Sequence, residues 1–94
     1  MNTISLIEKT GPFAENKDVA REIRIHVITP MLEKNIEVIL DFNGIESATQ
    51  SFIHAMISEL IRQYGSDVLD KISFKNCNDS VKSIVTIVVD YMQI

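Results

Sequence analysis

A run of three consecutive apolar residues at positions 38–40 constrains the fold of this chain more than any other feature. A strand without apolar–polar alternation is typical of a central strand buried on both faces, and residues 36–42 are therefore predicted to form one. The polar turn Asn43-Gly44 and a hydroxyl-rich helix start follow it. Such a junction places side chains at the carboxyl end of a strand, where open α/β sheets usually keep their binding sites.

A shorter strand and a helix are predicted before this central strand. Residues 4–8 predict the strand, which the breaker pair Gly11-Pro12 closes. Asn16 is placed to cap the helix that follows. Pro30 interrupts the helical pattern and predicts a kink or a break, because proline lacks an N–H donor and its ring clashes with the preceding turn. This helix is expected to end near residues 34–35.

Residues 50–64 predict a second helix, which Gly65 ends. Its apolar residues form two neighbouring rows, a wider apolar face than a surface helix needs. The two rows are Phe52, Met56 and Leu60, and Ile53, Ile57 and Ile61. Two explanations stay open: the excess lines a partner or dimer surface, or a small sheet is covered closely by its helices.

The last third of the chain predicts a third strand and a third helix. Ile72-Ser73-Phe74 alternates within residues 71–76 and suggests a half-exposed edge strand. The final segment is rich in β-branched residues, but its apolar positions follow a helical spacing from Val81 onwards, with Asp79 or Ser80 as the cap. The order βαβαβα predicts an α/β fold with a small, mostly parallel sheet covered by helices. Residues 1–94 are expected to form a single domain.

Composition excludes several classes of function. A net charge of −4, with the nine basic residues spread along the chain, argues against a nucleic-acid partner. The single cysteine, Cys77, excludes an internal disulfide and fits a reducing cytosol. The sequence has no signal-peptide pattern and no apolar run long enough for a membrane span. We therefore expect a soluble, cytoplasmic domain without a membrane partner.

No motif typical of catalysis is present. The chain lacks a glycine-rich phosphate loop, a nucleophile elbow and a zinc-protease motif, and neither His26 nor His54 has a cysteine at metal spacing. We therefore predict no enzyme, no cofactor and no metal site. Two roles stay open for Asp41. It binds a cation or a loop hydroxyl, or it accepts hydrogen bonds from loop amides and holds the junction in shape.

Three hydroxyl side chains, Ser47, Thr49 and Ser51, surround the start of the second helix. Either Thr49 or Ser51 is expected to cap it, since these residue types are preferred at that position. Capping does not exclude modification, because a phosphate at a helix N-terminus meets unpaired amides and a favourable dipole. Ser51 is therefore both a cap candidate and a phosphoacceptor candidate.

The strand–turn–helix segment resembles the small bacterial STAS-like domains of unknown function, which are related to anti-sigma factor antagonists. The matching residues are Asp41-Phe42-Asn43-Gly44 and Ala48-Thr49-Gln50-Ser51-Phe52. The wider STAS family carries Asp-Ser-Ser-Gly at this helix start, and Ser51 alone matches it, in the place of the serine that a partner kinase phosphorylates. The resemblance covers nearly the whole chain and implies a STAS-like fold, here with an abbreviated front end and three or four strands.

The resemblance implies a non-enzymatic bacterial regulatory module that docks onto an ATPase of the histidine-kinase-like fold and is switched by phosphorylation at Ser51. The expected docking surface is residues 43–52 with the exposed side of the second helix. The alternative is a small-ligand, nucleotide-like binding domain that uses Asp41, Thr49 and Ser51. The candidate binding residues are Asp41, Asn43, Gly44, Thr49, Gln50, Ser51 and Phe52. A weak homodimer is also expected, through the apolar face of the second helix or through the edge strand at 71–76.

Overall fold

The structure, a computed structural model, describes residues 2–92. This part of the chain contains ten α-helices and β-strands. In chain order they are β1 (Thr3–Ser5), α1 (Ile7–Thr10), β2 (Phe13–Ala14), α2 (Lys17–Ile23), α3 (Thr29–Glu33), β3 (Val38–Asp41), β4 (Ser47–Ala48), α4 (Gln50–Tyr64), β5 (Ile72–Lys75) and α5 (Asp79–Met92). A π-helical turn, Arg24–Ile28, joins α2 to α3, and a 3-10 segment, Ser66–Lys71, joins α4 to β5.

The main sheet has three parallel strands in the order β1-β3-β5. Its central strand, β3, places Val38 and Leu40 in the core, while Ile39 is half-buried. The predicted central strand is thus confirmed, although it is shorter than residues 36–42: Ile36 and Glu37 lie before the paired residues and are exposed, and Phe42 lies after them and is buried. The predicted α/β fold with a small parallel sheet and flanking helices is confirmed as well.

The first strand is shorter than the predicted residues 4–8. Pairing of β1 with β3 stops at Ser5, and Leu6 donates its N–H to the carbonyl of Asp41, the last residue of β3, over 3.1 Å. Because β3 offers no further partner, the chain turns into the one-turn helix α1, where Ile7 and Glu8 lie. The extension of this strand to Glu8 was therefore wrong.

The helix before the central strand is interrupted ahead of Pro30, as predicted. Asn16 caps α2 by accepting the N–H groups of Asp18 and Val19, at 2.9 and 3.4 Å. The interruption is the π-helical turn, in which Thr29 donates to the carbonyl of Arg24, five residues back. Pro30 then sits in the first turn of α3, where a missing N–H is tolerated. The helical stretch ends at Glu33, close to the predicted residues 34–35.

The helix α4 has the predicted bounds, and Gly65, at a φ of +83°, ends it. All six residues of its two apolar rows are buried. Helix α2 packs along one side of α4 and α5 along another. The wide apolar face therefore belongs to the core of a sheet covered closely by helices. Because this face is buried within the domain, it does not form a partner or dimer surface. The expected self-association through the second helix was therefore wrong.

The last segment is helical, as its spacing predicted, and forms α5. Val81, Val85 and Val88 are buried, and this helix packs against α4 and β4. Its cap is Asn78, whose Oδ1 accepts the N–H of Val81 over 2.8 Å. The expectation that Asp79 or Ser80 would be the cap was therefore wrong. Within residues 2–92, no helix has the length and hydrophobicity needed to cross a membrane.

The predicted edge strand is confirmed as β5, the last strand of the sheet order. It covers Ile72–Lys75, while Lys71 belongs to the 3-10 segment and Asn76 adopts a positive φ of +60° just after the strand. The carboxyl ends of β3 and β5 therefore meet at one edge of the sheet.

Candidate functional site

Ser51 lies in the first turn of α4, one residue after the helix begins. Thr49 is the cap: its Oγ1 accepts the N–H of Phe52 over 3.0 Å. This bond decides between the two cap candidates in favour of Thr49. Ser51 itself is exposed, so a change to its side chain leaves the capping bond in place.

Backbone hydrogen bonds fix the start of α4. The short parallel pair of β2 and β4 aligns Phe13 with Ser47. The carbonyl of Pro12 accepts the N–H of Glu46 over 2.7 Å, and the carbonyl of Ala14 accepts the N–H of Thr49 over 3.0 Å. These bonds tie the turn to the segment before α2 and so fix where the start of α4 presents Ser51.

An open groove of about 450 Å³ runs beside Ser51, between the start of α4 and the second half of α5. We call it the Ser51 groove. Its lining consists of Lys17, Gln50, Ser51, His54, Ala55, Ile87, Val88 and Tyr91. The lining is mostly apolar, and two of its large side chains are unusually open to solvent, Ile87 at 49% and Tyr91 at 69%.

The polar side of the Ser51 groove carries positive and no negative charge. Lys17 begins α2 and is exposed, and the lining contains no aspartate or glutamate, although the whole chain has a net charge of −4. The N-terminus of the 15-residue helix α4 adds the positive end of a helix dipole. The Nδ1 atom of His54 lies 3.4 Å from Oγ of Ser58 on the next turn of α4.

Asp41, at the end of β3, is part of the hydrogen bonding that shapes the junction. Its Oδ1 accepts the side-chain amide of Asn76 and the backbone N–H of Asn43, each over 2.9 Å. Both bonds, the one from Asn76 first, lower the pKa of this carboxyl from its ordinary value, because they favour the charged form. These are the bonds expected of the structural role for Asp41.

The turn after Asp41 is held equally closely. Gly44 has a φ of +86°, and a Cβ there would lie 2.5 Å from Cδ1 of Ile7, so only glycine fits without a shift. The side-chain amide of Asn78 donates to the carbonyls of Ile45 and Glu46, at 3.2 and 2.9 Å, and fastens the turn to the start of α5.

Cys77 lies between the two asparagines that brace the turn. It is half-buried and packs against the core. Burial is the largest influence on its thiol and raises the pKa, so the thiolate is disfavoured. This fits a packing role better than a reactive one.

The structure does not bring the seven predicted binding residues together, and two of them, Asp41 and Thr49, are engaged in the hydrogen bonds described above. Gln50 and Ser51 line the Ser51 groove, whereas Asn43 and Gly44 line a separate shallow hollow at the carboxyl ends of β3 and β5. Phe52 is fully buried. Its assignment to a binding surface was therefore wrong, since the residue after exposed Ser51 is turned into the core.

Several groove residues were not identified from the sequence. Lys17 lies in α2, far from Ser51 in the chain, and no local pattern links the two. His54 lies three residues after Ser51 on α4, so helical spacing places it beside Ser51 and could have identified it. Ile87 and Tyr91 did carry a signal: they are apolar, four residues apart, and outside the buried series of α5. The two asparagines that brace the turn, Asn76 and Asn78, carried a weaker sequence signal. They are asparagines next to the end of a strand and the start of a helix.

A family model described as a STAS-like domain of unknown function (DUF4325) matches residues 19–82. The matched span runs from α2 into the first turn of α5 and contains Ser51. No curated protein and no solved structure matches the chain. The family is not a known enzyme family, and its description assigns it no activity. Because the match covers more than half of the chain, the protein belongs to the family of STAS-like domains of unknown function.

Proposed function

We propose that this domain is a non-enzymatic regulatory interaction module that resembles the anti-sigma factor antagonists and docks onto a protein partner. By family resemblance the partner is a bacterial ATPase of the histidine-kinase-like fold. One observation carries the proposal: exposed Ser51 stands at the edge of an open, mostly apolar groove in which Ile87 and Tyr91 are exposed.

The composition of the groove favours a protein partner. Exposed apolar side chains grouped with polar ones at the edge are typical of interaction surfaces, where aromatic residues supply much of the contact energy. The Ser51 groove has this arrangement, with Ile87 and Tyr91 on the α5 side and Gln50, Ser51 and Lys17 on the other.

The position of Ser51 suits a phosphorylation switch. A phosphoserine carries a charge of about −1.5 to −2 and is tolerated at a helix N-terminus, because the dipole and the unpaired amides there favour it. Thr49 and not Ser51 makes the capping bond, so modification leaves the fold intact. The added charge would stand beside the apolar wall of the groove, and docking a partner there would require its desolvation, which disfavours the complex.

The small-ligand alternative has less support. Of its three proposed residues only Ser51 lines the groove. Thr49 is engaged in the capping bond and Asp41 in the bonds to Asn43 and Asn76. The three residues therefore do not converge on one cavity, as a ligand site built from them would need.

Variants at two equivalent serines test the switch. The partner is first isolated by co-purification from the native cell and identified by mass spectrometry. Its affinity for the parent domain is then compared with that for Ser51→Ala, Ser51→Asp and Ser80→Asp by calorimetry. Ser80 is the matched control, because it is exposed and holds the same position in the first turn of α5 that Ser51 holds in α4.

Ser51→Asp should weaken binding about tenfold or more, which corresponds to about 1.4 kcal/mol. Ser51→Ala should bind like the parent, and Ser80→Asp should change the affinity less than twofold. A folded Ser51→Asp protein that binds the partner as tightly as the parent would refute the switch.

A further inference from the structure

We propose that the Ser51 groove receives a segment of the partner protein in which an apolar side chain adjoins a carboxylate. The apolar side chain packs against α5, and the carboxylate, from aspartate or glutamate, faces Lys17. This inference rests on the proposed docking function and specifies the chemistry of the partner at that site.

The apolar half of the segment follows from the wall that α5 presents. Ile87 and Tyr91 are one helical turn apart and stay exposed beside the buried series of α5, while Ala55 and Val88 line the groove between the two helices. A groove of about 450 Å³ has room for an aliphatic or aromatic side chain together with its neighbours. Such a side chain would act as the anchor of the complex.

The acidic half follows from the charge on the opposite wall. Between residues 2 and 92 the ion pairs are Arg21–Asp18, His26–Glu22 and Arg62–Glu59, so Lys17 has no ion-pair partner among these residues. The positive end of the α4 dipole lies at the same wall, and no carboxylate of the lining offsets either charge. In a chain of net charge −4 this positive wall selects for a negative group.

The same charge explains how a phosphate on Ser51 would act. Ser51 and Lys17 line one groove, so a phosphate there would neutralise the positive wall and repel the partner's carboxylate. Charge reversal at Lys17 should therefore have the same effect on docking as phosphorylation.

Peptide selection on the full chain tests the assignment even while the partner is unidentified. A phage-displayed library of random peptides is selected against the immobilised domain, and the best peptide is synthesised with its acidic residue intact and as the amide. Both peptides are titrated against the parent, Lys17→Met and Ile87→Ser. The matched controls are Lys34→Met and Ile25→Ser, because Lys34 is exposed outside the groove and Ile25 is 46% exposed, close to the value for Ile87.

Selected peptides should carry an aliphatic or aromatic residue within a few positions of an aspartate or glutamate. The acid-to-amide change should weaken binding to the parent about fivefold or more and should have no further effect on Lys17→Met. Ile87→Ser should weaken binding by a similar factor, and the two controls should bind like the parent.

Four results would overturn the assignment. The first three are enrichment of basic or uncharged peptides, no enrichment at all, and peptide binding that Lys17→Met leaves unchanged. The fourth is self-association of the domain that Ile87→Ser abolishes, because a second copy would then be the occupant.

The proposed switch can fail independently of this assignment. If Ser51→Asp releases the native partner while the selected peptides ignore Lys17, the switch stands and the occupant is wrong. If the peptides depend on Lys17 while Ser51→Asp retains the partner, the switch is wrong.

Discussion

Asn76 holds the carboxylate of Asp41 across the edge of the sheet, with its Nδ2 atom 2.9 Å from Oδ1. The bond joins the residue after β5 to the last residue of β3. Asn76 has a φ of +60°, a conformation that asparagine tolerates better than most residues. Because the N–H of Asn43 binds the same oxygen, one carboxylate shapes both the strand end and the turn that leads to the Ser51 groove.

Asp41→Asn should lower the melting temperature at neutral pH and have a smaller effect in acid. The pKa of Asp41 is lowered in the folded protein by the bonds from Asn76 and Asn43, so its stabilising contribution is present above the unfolded pKa of about 3.9 and is lost as the pH falls through the lower folded value. Thermal melts of both proteins, followed by circular dichroism at pH 7 and near pH 3, check this. Exposed Asp70 gives the control, Asp70→Asn. A gap between parent and Asp41→Asn that is as wide in acid as at neutral pH would contradict it.

Thr49→Ala should destabilise the domain by about 1 kcal/mol, the usual contribution of a helix cap. Ser51→Ala should stay within about 0.5 kcal/mol of the parent, since an exposed side chain away from the capping bond is replaced. Urea denaturation of the three proteins measures both differences. Equal losses at the two positions would mean that Ser51 shares in the capping of α4.

Gly44→Ala should destabilise the domain, and part of the loss should come from one contact. Gly44 has a φ of +86°, so an added side chain meets backbone strain of about 1 kcal/mol or more. The new Cβ would also lie 2.5 Å from a side-chain atom, Cδ1 of Ile7. The loss should therefore be smaller when Gly44→Ala is made in an Ile7→Ala background, and urea denaturation of the two single variants, the double variant and the parent measures the difference. Equal losses in the two backgrounds would show that Ile7 moves aside without cost.

Self-association is expected to be weak and to depend on the exposed edge of β5. The apolar face of α4 is buried, which leaves β5 of the two routes predicted from the sequence, with Ser73 and Lys75 exposed along it. Sedimentation velocity between low and high micromolar concentrations should show a shift toward a dimer. A strict monomer throughout that range would end the prediction.

Periodicity in the sequence was enough to find the elements whose burial is regular. The unbroken apolar run of β3 and the helical spacing of α4 and α5 each reflect contact with a continuous core, so position and type followed directly. The boundaries of the elements were predicted less well, because they depend on which groups of the same chain pair or hydrogen-bond with the terminal residues. The first strand stops at Ser5 because β3 ends opposite it, and three adjacent polar residues at 78–80 have similar capping preferences, so only the hydrogen bond to Val81 identifies Asn78.

The candidate site was predicted only in part, because it too depends on contacts between elements that are distant in the sequence. Resemblance to a motif located Ser51, but it also assigned Phe52 to a binding surface. Helical spacing put Phe52 in the apolar rows of α4, and only the structure shows that these rows are core. The rest of the groove depends on how α5 and the start of α2 pack beside α4. Lys17 and Tyr91 are far apart in the sequence and share no pattern, so their meeting at Ser51 could be known only from the tertiary structure.

Val85→Asp should unfold the domain, whereas Thr86→Asp should not. Val85 is buried on the face of α5 that packs into the core, and an unpaired buried carboxylate costs several kcal/mol, a large share of the stability of a small domain. Thr86 is the next residue and is exposed, so the same carboxylate there stays in water and the helix propensity changes little. Circular dichroism spectra and thermal melts of the two variants beside the parent make the comparison. A Val85→Asp protein with the parent's spectrum and melting temperature would mean that α5 does not bury this face.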